Sequence, residues 1–132
     1  MTTSTKAVDI KAALAGRPML KDRSRHTTPA ESNAAFATLA PFRDGSIFAG
    51  SFSGESAWER HLNGDELVQI LDGATTLTII IDDQARVFEM SAGMLVVVPQ
   101  GCWHRFQSPD GVTVLTMTPQ PTEQSPEDDP RG

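Results

Sequence analysis

The sequence is poor in cysteine, basic charge and long apolar runs, and each scarcity excludes a class of protein. Cys102 is the single cysteine among 132 residues, so it can form no intrachain disulfide and no zinc site built on several cysteines. The longest apolar run, 94–99, falls far short of the roughly 20 residues that span a bilayer. The first ten residues lack the apolar stretch of a signal peptide. We therefore expect a soluble, cytoplasmic protein.

The charge balance is acidic. The chain has 11 Lys and Arg against 17 Asp and Glu, which gives a net charge of −6. Nucleic-acid-binding proteins normally carry a basic surplus, and anionic membrane surfaces attract basic segments, so neither partner is expected. Hydrophobic residues make up 39% of the chain, which is enough for the core of one domain.

Three regions of the chain differ in composition. Residues 6–15 space their apolar side chains as a helix does, and we assign 1–33 to a short N-terminal helix with a polar, irregular extension. Over 34–118, β-branched and aromatic segments alternate with turn residues, which predicts an all-β barrel or sandwich. Residues 119–132 hold four of the nine prolines and a net charge of −3, which is typical of a solvated acidic tail, free or lying along the barrel.

The turn residues within 34–118 divide the region into short strands. An alternating strand buries every second side chain, which predicts a core that includes Leu77, Ile79, Ile81, Val96 and Val98. We expect strands near 34–40, 46–52, 56–62, 66–72, 74–81, 85–90, 94–98, 103–107 and 112–118.

Two histidines lie beside turn glycines in this β-rich region. His61 is followed by Glu66 five residues later, and six further residues separate Glu66 from Gly73. His104 ends the pattern Gly-x5-Pro-x-Gly-x2-His, which begins at Gly93. Imidazoles and carboxylates at such spacings are candidate metal ligands.

These two patterns resemble the two motifs of the cupin superfamily, and the resemblance covers about residues 46–118. It implies a single-domain cupin-type double-stranded β-helix, or jelly-roll barrel. The first motif of the family reads Gly-x5-His-x-His-x3 or x4-Glu-x6-Gly. With His61 at its first His, Asn63 stands at the second, and six residues rather than five separate His61 from Gly54.

In metal-binding cupins, the His and Glu positions of the motifs hold one divalent ion inside the barrel. The resemblance thus implies His61, Glu66 and His104 as metal ligands, with Asn63 as a weak oxygen ligand or none. Two imidazoles and one carboxylate with open positions suit Fe, Mn, Ni or Zn as the divalent ion. The alternative is that Glu66 pairs with Arg60 or another surface cation and that the two histidines only line a pocket.

Two further residues are candidates for chemistry near this site. Glu59 shares the strand face of His61, so it is either an acid/base group inside the barrel or a surface residue. Cys102 is either a nucleophile, which would need a lowered pKa and a base, or an inert buried thiol. The sequence contains no phosphate loop or dinucleotide fingerprint.

The residues leave three functions open. The first is a divalent-metal-dependent enzyme acting on a small polar organic molecule, by dioxygenation, isomerisation or decarboxylation. The second is a non-catalytic module that binds a small molecule or a metal. The third is a metal-free, epimerase-like cupin with His61 or His104 as base, although such enzymes commonly pair the His with a Tyr, and the chain has no Tyr. A barrel this small has sheet edges that a second copy can cover, and many small cupins dimerise, so we expect a homodimer.

Overall fold

The computed structural model describes residues 5–132. It contains two short helices and nine strands, and all nine strands belong to one sheet. The elements are α1 (Ile10–Leu14), β1 (Leu20–Arg23), α2 (Pro29–Ala35), β2 (Ala37–Phe42), β3 (Gly45–Glu55), β4 (Trp58–His61), β5 (Glu66–Ile81), β6 (Gln84–Ser91), β7 (Leu95–Val98), β8 (His104–Pro119) and β9 (Thr122–Ser125).

The sheet is curled into a half-barrel around its two longest strands. Strand β8 pairs with β3, β4 and β5, and β5 pairs in turn with β6 and β7, all of them antiparallel. The hairpin between β5 and β6 turns at Asp82 and Asp83, both with positive φ, as a type I′ turn requires. This architecture confirms the predicted all-β barrel.

Strands β5 and β8 are longer than predicted. The breaks expected at 72–73 and 109–111 are bends within continuous strands, and the pairing register of β5 with β8 shifts beside Gly73. Gly73 and Gly111 have φ of +76° and +96°, and a Cβ on Gly73 would lie 2.5 Å from the Gly111 carbonyl oxygen. Glycine at these positions therefore bends two touching strands instead of ending them.

The N-terminal region is more ordered than predicted. The helix expected over 6–15 is only α1, Ile10–Leu14, and the stretch taken as irregular contains β1 and α2. Thr28 and Glu31 form a capping box at the start of α2, with Pro29 in its first turn. Strand β1 pairs in parallel with β3 and so joins the main sheet.

The acidic C-terminal segment lies along the barrel. Strand β9 pairs with β4, with His61 opposite Thr122. The Trp58 indole N–H donates to the Asp128 carbonyl at 3.1 Å. The sheet thus extends beyond 34–118 at both ends of the chain.

The core occupies the concave face of the sheet. Leu77, Ile79 and Val98 are buried as predicted, whereas Ile81 and Val96 are partly buried against the core. Within residues 5–132, no helix is long and apolar enough to cross a membrane. The buried core side chains are Phe52, Val68, Ile70, Leu77, Ile79, Met90, Val98, Phe106, Val112 and Val114.

Candidate metal centre

Three predicted ligand residues meet inside the barrel. His61 ends β4, Glu66 begins β5 and His104 begins β8. Their side chains are buried, with exposed fractions of 3%, 5% and 2% respectively. Each offers one ligand atom, and these three atoms all lie within 4.8 Å of one another. The structure therefore brings together the His, Glu and His that the motifs predicted.

Two linked turns hold these strand ends together. The turn after β4 presents the Asp65 carboxylate, which accepts a hydrogen bond from the Gln100 backbone N–H at 2.8 Å. The His61 carbonyl accepts another from the Gly101 N–H at 2.9 Å. The Pro-Gln-Gly turn that precedes His104 is thereby fixed against the end of β4.

Glu66 lies between the two imidazoles. Its Oε2 is 3.3 Å from His61 Nε2, and its Oε1 is 3.0 Å from His104 Nε2. The Thr118 hydroxyl donates to Oε2 at 2.6 Å, which fixes the carboxylate plane. Both histidines thus direct the same ring nitrogen, Nε2, at one carboxylate.

Hydrogen bonds at the other ring nitrogen orient each imidazole. His104 Nδ1 lies 3.1 Å from the Cys102 carbonyl oxygen, which can only accept, so this nitrogen carries the proton of the neutral ring. His61 Nδ1 lies 3.1 Å from the Thr122 hydroxyl oxygen. In metal sites, such outer contacts leave Nε2 with a lone pair directed at the ion.

The residues fit a divalent cation. His61 Nε2 and Glu66 Oε1 are buried and have no hydrogen-bond partner among the described residues. Buried polar atoms are normally satisfied, so two such atoms in one cluster indicate a partner of positive charge, either a proton on an imidazole or a metal ion. Two imidazole nitrogens and one carboxylate oxygen are the donor set of first-row divalent ions, and this set leaves other coordination positions open.

The charges in the cluster are strongly coupled. Burial by itself would raise the pKa of Glu66, but contact with His104 and His61 outweighs burial and holds its pKa well below the usual range. Burial lowers the pKa of His104, but Glu66 chiefly, with a contribution from Glu59, raises it overall. The carboxylate is therefore ionised, and the same position that favours a proton on His104 favours a metal ion.

The structure does not bring Asn63 into the cluster. Its side chain is exposed, and its amide donates to the Gln120 carbonyl at 2.6 Å. The resemblance placed Asn63 at the second His position, where its side chain would share a face with His61 only on a continuing strand. Strand β4 ends at His61, and the chain turns over 62–65, so the alternation of faces stops there.

Glu59 lines the cavity beside the cluster. It precedes His61 by two residues on β4 and lies opposite His104 in the sheet. With His61 at the second His of the first cupin motif, four residues separate it from Glu66 and six separate Glu66 from Gly73, as the motif requires. Glu59 then occupies the first His position and Ser53 the position of the leading Gly, a register that the spacing from His61 to Gly73 already contained.

The remaining candidates lie outside the cluster. Arg60 binds Glu123 at 2.7 Å, so it is not the partner of Glu66. The pKa of the Cys102 thiol is raised chiefly by burial and further by the negative charges of Asp82 and Asp65. A thiol with a raised pKa is a poor nucleophile, so the inert thiol is favoured.

The cavity above the cluster has a volume of about 170 Å³. Phe36, Phe52 and Phe106 supply apolar wall, while Arg23 and Thr122 come from segments that the sequence assigned to the extension and the tail. An isolated Arg or Thr in a polar stretch carries no spacing signal, so neither residue was predicted. Access to the cluster is through a small space with mixed polar and aromatic walls.

The fold and the two motifs define the class of protein. The sequence model of the cupin-domain family matches residues 51–118, which is more than half of the chain. The chain therefore belongs to the cupin family. This finding confirms the resemblance noted from the His61 and His104 motifs.

Among curated proteins, the chain is similar to two acireductone dioxygenases of Rhodopseudomonas palustris. It is 35% identical to that of strain CGA009 and 34% identical to that of strain TIE-1, in each case over 109 residues. Each match covers 74% of this chain. The chain spans 64% of the length of these relatives, just under two thirds.

Solved structures show the same fold. A cupin-2 domain protein from Shewanella frigidimarina has a TM-score of 0.51 at 23% identity, covering 69% of this chain and 80% of that one. Hydroquinone 1,2-dioxygenase, solved with Cd²⁺ and 4-hydroxybenzonitrile, has a TM-score of 0.60 at 12% identity. The match covers 92% of this chain and 80% of the dioxygenase chain. At these identities the likeness extends to the fold alone.

Proposed function

We propose that the chain is a divalent-metal-dependent dioxygenase of a small, electron-rich oxygen compound, with His61, Glu66 and His104 holding the ion. The observation that carries the proposal is the convergence of these three buried ligand atoms, two of them without a hydrogen-bond partner. Two histidines and one carboxylate with open positions are the ligand set of non-haem Fe(II) oxygenases. Similarity to proteins named as acireductone dioxygenases supports the same reaction class.

The ion, when bound, would act as a Lewis acid that brings substrate and O₂ together in its open positions. The protein's own residues provide orientation and exclude water. The Thr118 hydroxyl fixes the Glu66 carboxylate, and the Cys102 carbonyl fixes the His104 ring. The buried rings of Phe52 and Phe106 limit water around the reacting atoms. The role of Glu59 as an acid/base group, like the homodimer and the cytoplasmic location, stays a prediction.

The proposal is tested by oxygen uptake. Protein loaded anaerobically with Fe(II), Mn(II), Ni(II) or Zn(II) is mixed with acireductone, hydroquinone, catechol or the carboxylate-bearing catechol 2,3-dihydroxybenzoate in air-saturated buffer. We expect O₂ consumption with a redox-active ion and at least one of these dihydroxy compounds. Zn(II)-loaded protein and the Glu66→Ala variant serve as controls and should be inactive. Stoichiometric metal binding without O₂ uptake across the panel would favour a non-catalytic binding module.

The contact between Thr122 and His61 predicts a role for β9 in metal affinity. Replacing Thr122 with Val removes the hydroxyl that orients the His61 ring but keeps the shape of the side chain. Loss of such an outer contact typically weakens metal binding by about 10-fold to 100-fold. Competition with a chromophoric chelator for Zn(II) measures the change.

Thr113 provides a matched control for this measurement. Its hydroxyl also forms a side-chain hydrogen bond, with Ser51 at 2.7 Å, but it does not line the cavity. The Thr113→Val variant should therefore bind Zn(II) as the wild type does. Equal affinity in Thr122→Val and wild type would show that the strand does not orient the ligand.

A further inference from the structure

Arg23 is a largely buried cation on the wall of the cavity. It ends β1, and only 10% of its side chain is exposed. Its guanidinium carbon lies 4.7 Å from the centre of the Phe52 ring and 5.7 Å from that of Phe36. The side chain lines the same cavity as Glu66 and His104. Arg23 lies outside residues 51–118, so it is not part of the matched family domain.

Most of the hydrogen-bonding capacity of Arg23 is unused. A guanidinium has five N–H donors in a planar fork. Within residues 5–132 it has one acceptor, Glu59 Oε1, at 3.3 Å, which is long beside the roughly 2.7–2.9 Å of a strong charged hydrogen bond. Burial lowers the pKa of Arg23, and Glu59 offsets only part of that effect. None of its unpaired nitrogens is sealed off from solvent, so an anionic ligand that enters the cavity can accept hydrogen bonds from the remaining N–H groups.

The charges around the cavity point to the same partner. Arg23 balances one of the two wall carboxylates, Glu59 and Glu66, so a divalent ion in the site would leave a surplus of one positive charge. A monoanion would neutralise that surplus. The volume of about 170 Å³ lies below the approximately 300–1,000 Å³ typical of sites for drug-sized ligands, so the anion must be small.

We propose that Arg23 binds a carboxylate of the substrate and that the substrate is a small monoanionic acid whose other oxygen group binds the metal. The hydrogen bond to Glu59 positions the Arg23 guanidinium. The negative charge of Glu59 also weakens the attraction between the guanidinium and the substrate carboxylate. The proposal rests on the proposed function, since the surplus charge comes from the metal. Arg23 is on this view a specificity-determining residue, and the planar fork matches a carboxylate in two-point contact.

Matched hydroxamates test the proposal on the Zn(II)-loaded protein, because a hydroxamate chelates metal whatever its tail. Succinic monohydroxamate carries a carboxylate tail, and butanohydroxamate is its neutral counterpart. Malonic monohydroxamate and propanohydroxamate form a shorter pair. Calorimetry gives the affinity ratio within each pair. In the wild type we expect the better-fitting carboxylate compound to bind about tenfold or more tightly than its counterpart.

Three variants separate what the charge of Arg23, its planar fork and the charge of Glu59 each contribute to the affinity ratio. Arg23→Met keeps an apolar stem against Phe52 and Phe36 but has no charge, so the affinity ratio should fall to about one. Arg23→Lys keeps the charge without the fork and should retain part of the preference. Glu59→Gln removes the competing anion and should increase the ratio. Zinc content is measured for every variant.

The outcomes distinguish this inference from the proposed function. A carboxylate preference that is equal in wild type and Arg23→Met, at full zinc content, would overturn the role of Arg23. If Arg23→Met does not fold, an unchanged or smaller ratio in Glu59→Gln overturns it instead. Absence of zinc, or of binding by both hydroxamates of each pair, would overturn the proposed function and this inference with it.

Discussion

A variant with alanine at both His61 and His104 should purify without divalent metal, whereas the wild type should carry close to one equivalent. The two imidazoles are two of the three ligand atoms that converge in the barrel. Removing both leaves Glu66 as one carboxylate, which cannot hold a first-row ion against dilution during purification. Elemental analysis of protein prepared without an affinity-metal step measures the difference.

His26 provides the control for this result. It is the third histidine of the chain, exposed and remote in sequence from the cluster. The His26→Ala variant should keep the metal content of the wild type. Far-UV circular dichroism should show a folded β-protein for both variants. Metal well below one equivalent in the wild type, and no lower in the double variant, would contradict the metal site.

Replacing Leu77 with alanine should destabilise the metal-free protein by about 2–5 kcal/mol. Leu77 is fully buried on β5, and Phe106 and Phe88 lie opposite it on β8 and β6. The substitution removes apolar contacts and leaves a cavity. The neighbouring strands β6 and β8 are fixed by their pairing with β5, so they cannot close around the smaller side chain. Chemical denaturation measures the free energy of unfolding, and the midpoint of thermal unfolding should fall on the order of 10 °C.

Val87 gives a matched control on the opposite face of the same hairpin. Its side chain is 60% exposed, and it pairs with Thr78 on β5. The Val87→Ala variant should change the free energy of unfolding by less than about 0.5 kcal/mol. A similar loss in both variants would mean that the core is not packed around Leu77. Since Leu77 does not line the cavity, its variant should still bind metal once folded.

The class of fold was predictable because alternation and turn residues are local signals. The hairpin at Asp82 and Asp83 and the burial of Leu77 and Ile79 follow directly from such signals. The merging of strands at Gly73 and Gly111 was not predictable, since glycine favours a bend and a turn equally. Whether the chain bends or reverses depends on the partner strand, which one sequence does not identify.

The candidate site was predictable to the extent that it lies within the two motifs. His61, Glu66 and His104 have fixed spacings, and the linked turns bring them together. Asn63 lies in a turn and outside the cluster, in agreement with the option that it is no ligand, whereas Glu59 lies on β4 opposite His104. Arg23 and Thr122 reach the cavity through pairing of β1 with β3 and β9 with β4. Such distant pairings leave no local pattern in the sequence.

The pairing of β9 with β4 has a consequence for the order of events in folding. His61 and Thr122 are 61 residues apart, and Glu66 and Thr118 are 52 apart. Contacts over such separations form late, because the intervening chain must lose its freedom before they can stabilise anything. During synthesis, His61 and Glu66 emerge long before the residues that orient them. Under the proposed function, tight metal uptake would therefore be a closing step of maturation, since a nascent chain lacks the groups that would retain the ion.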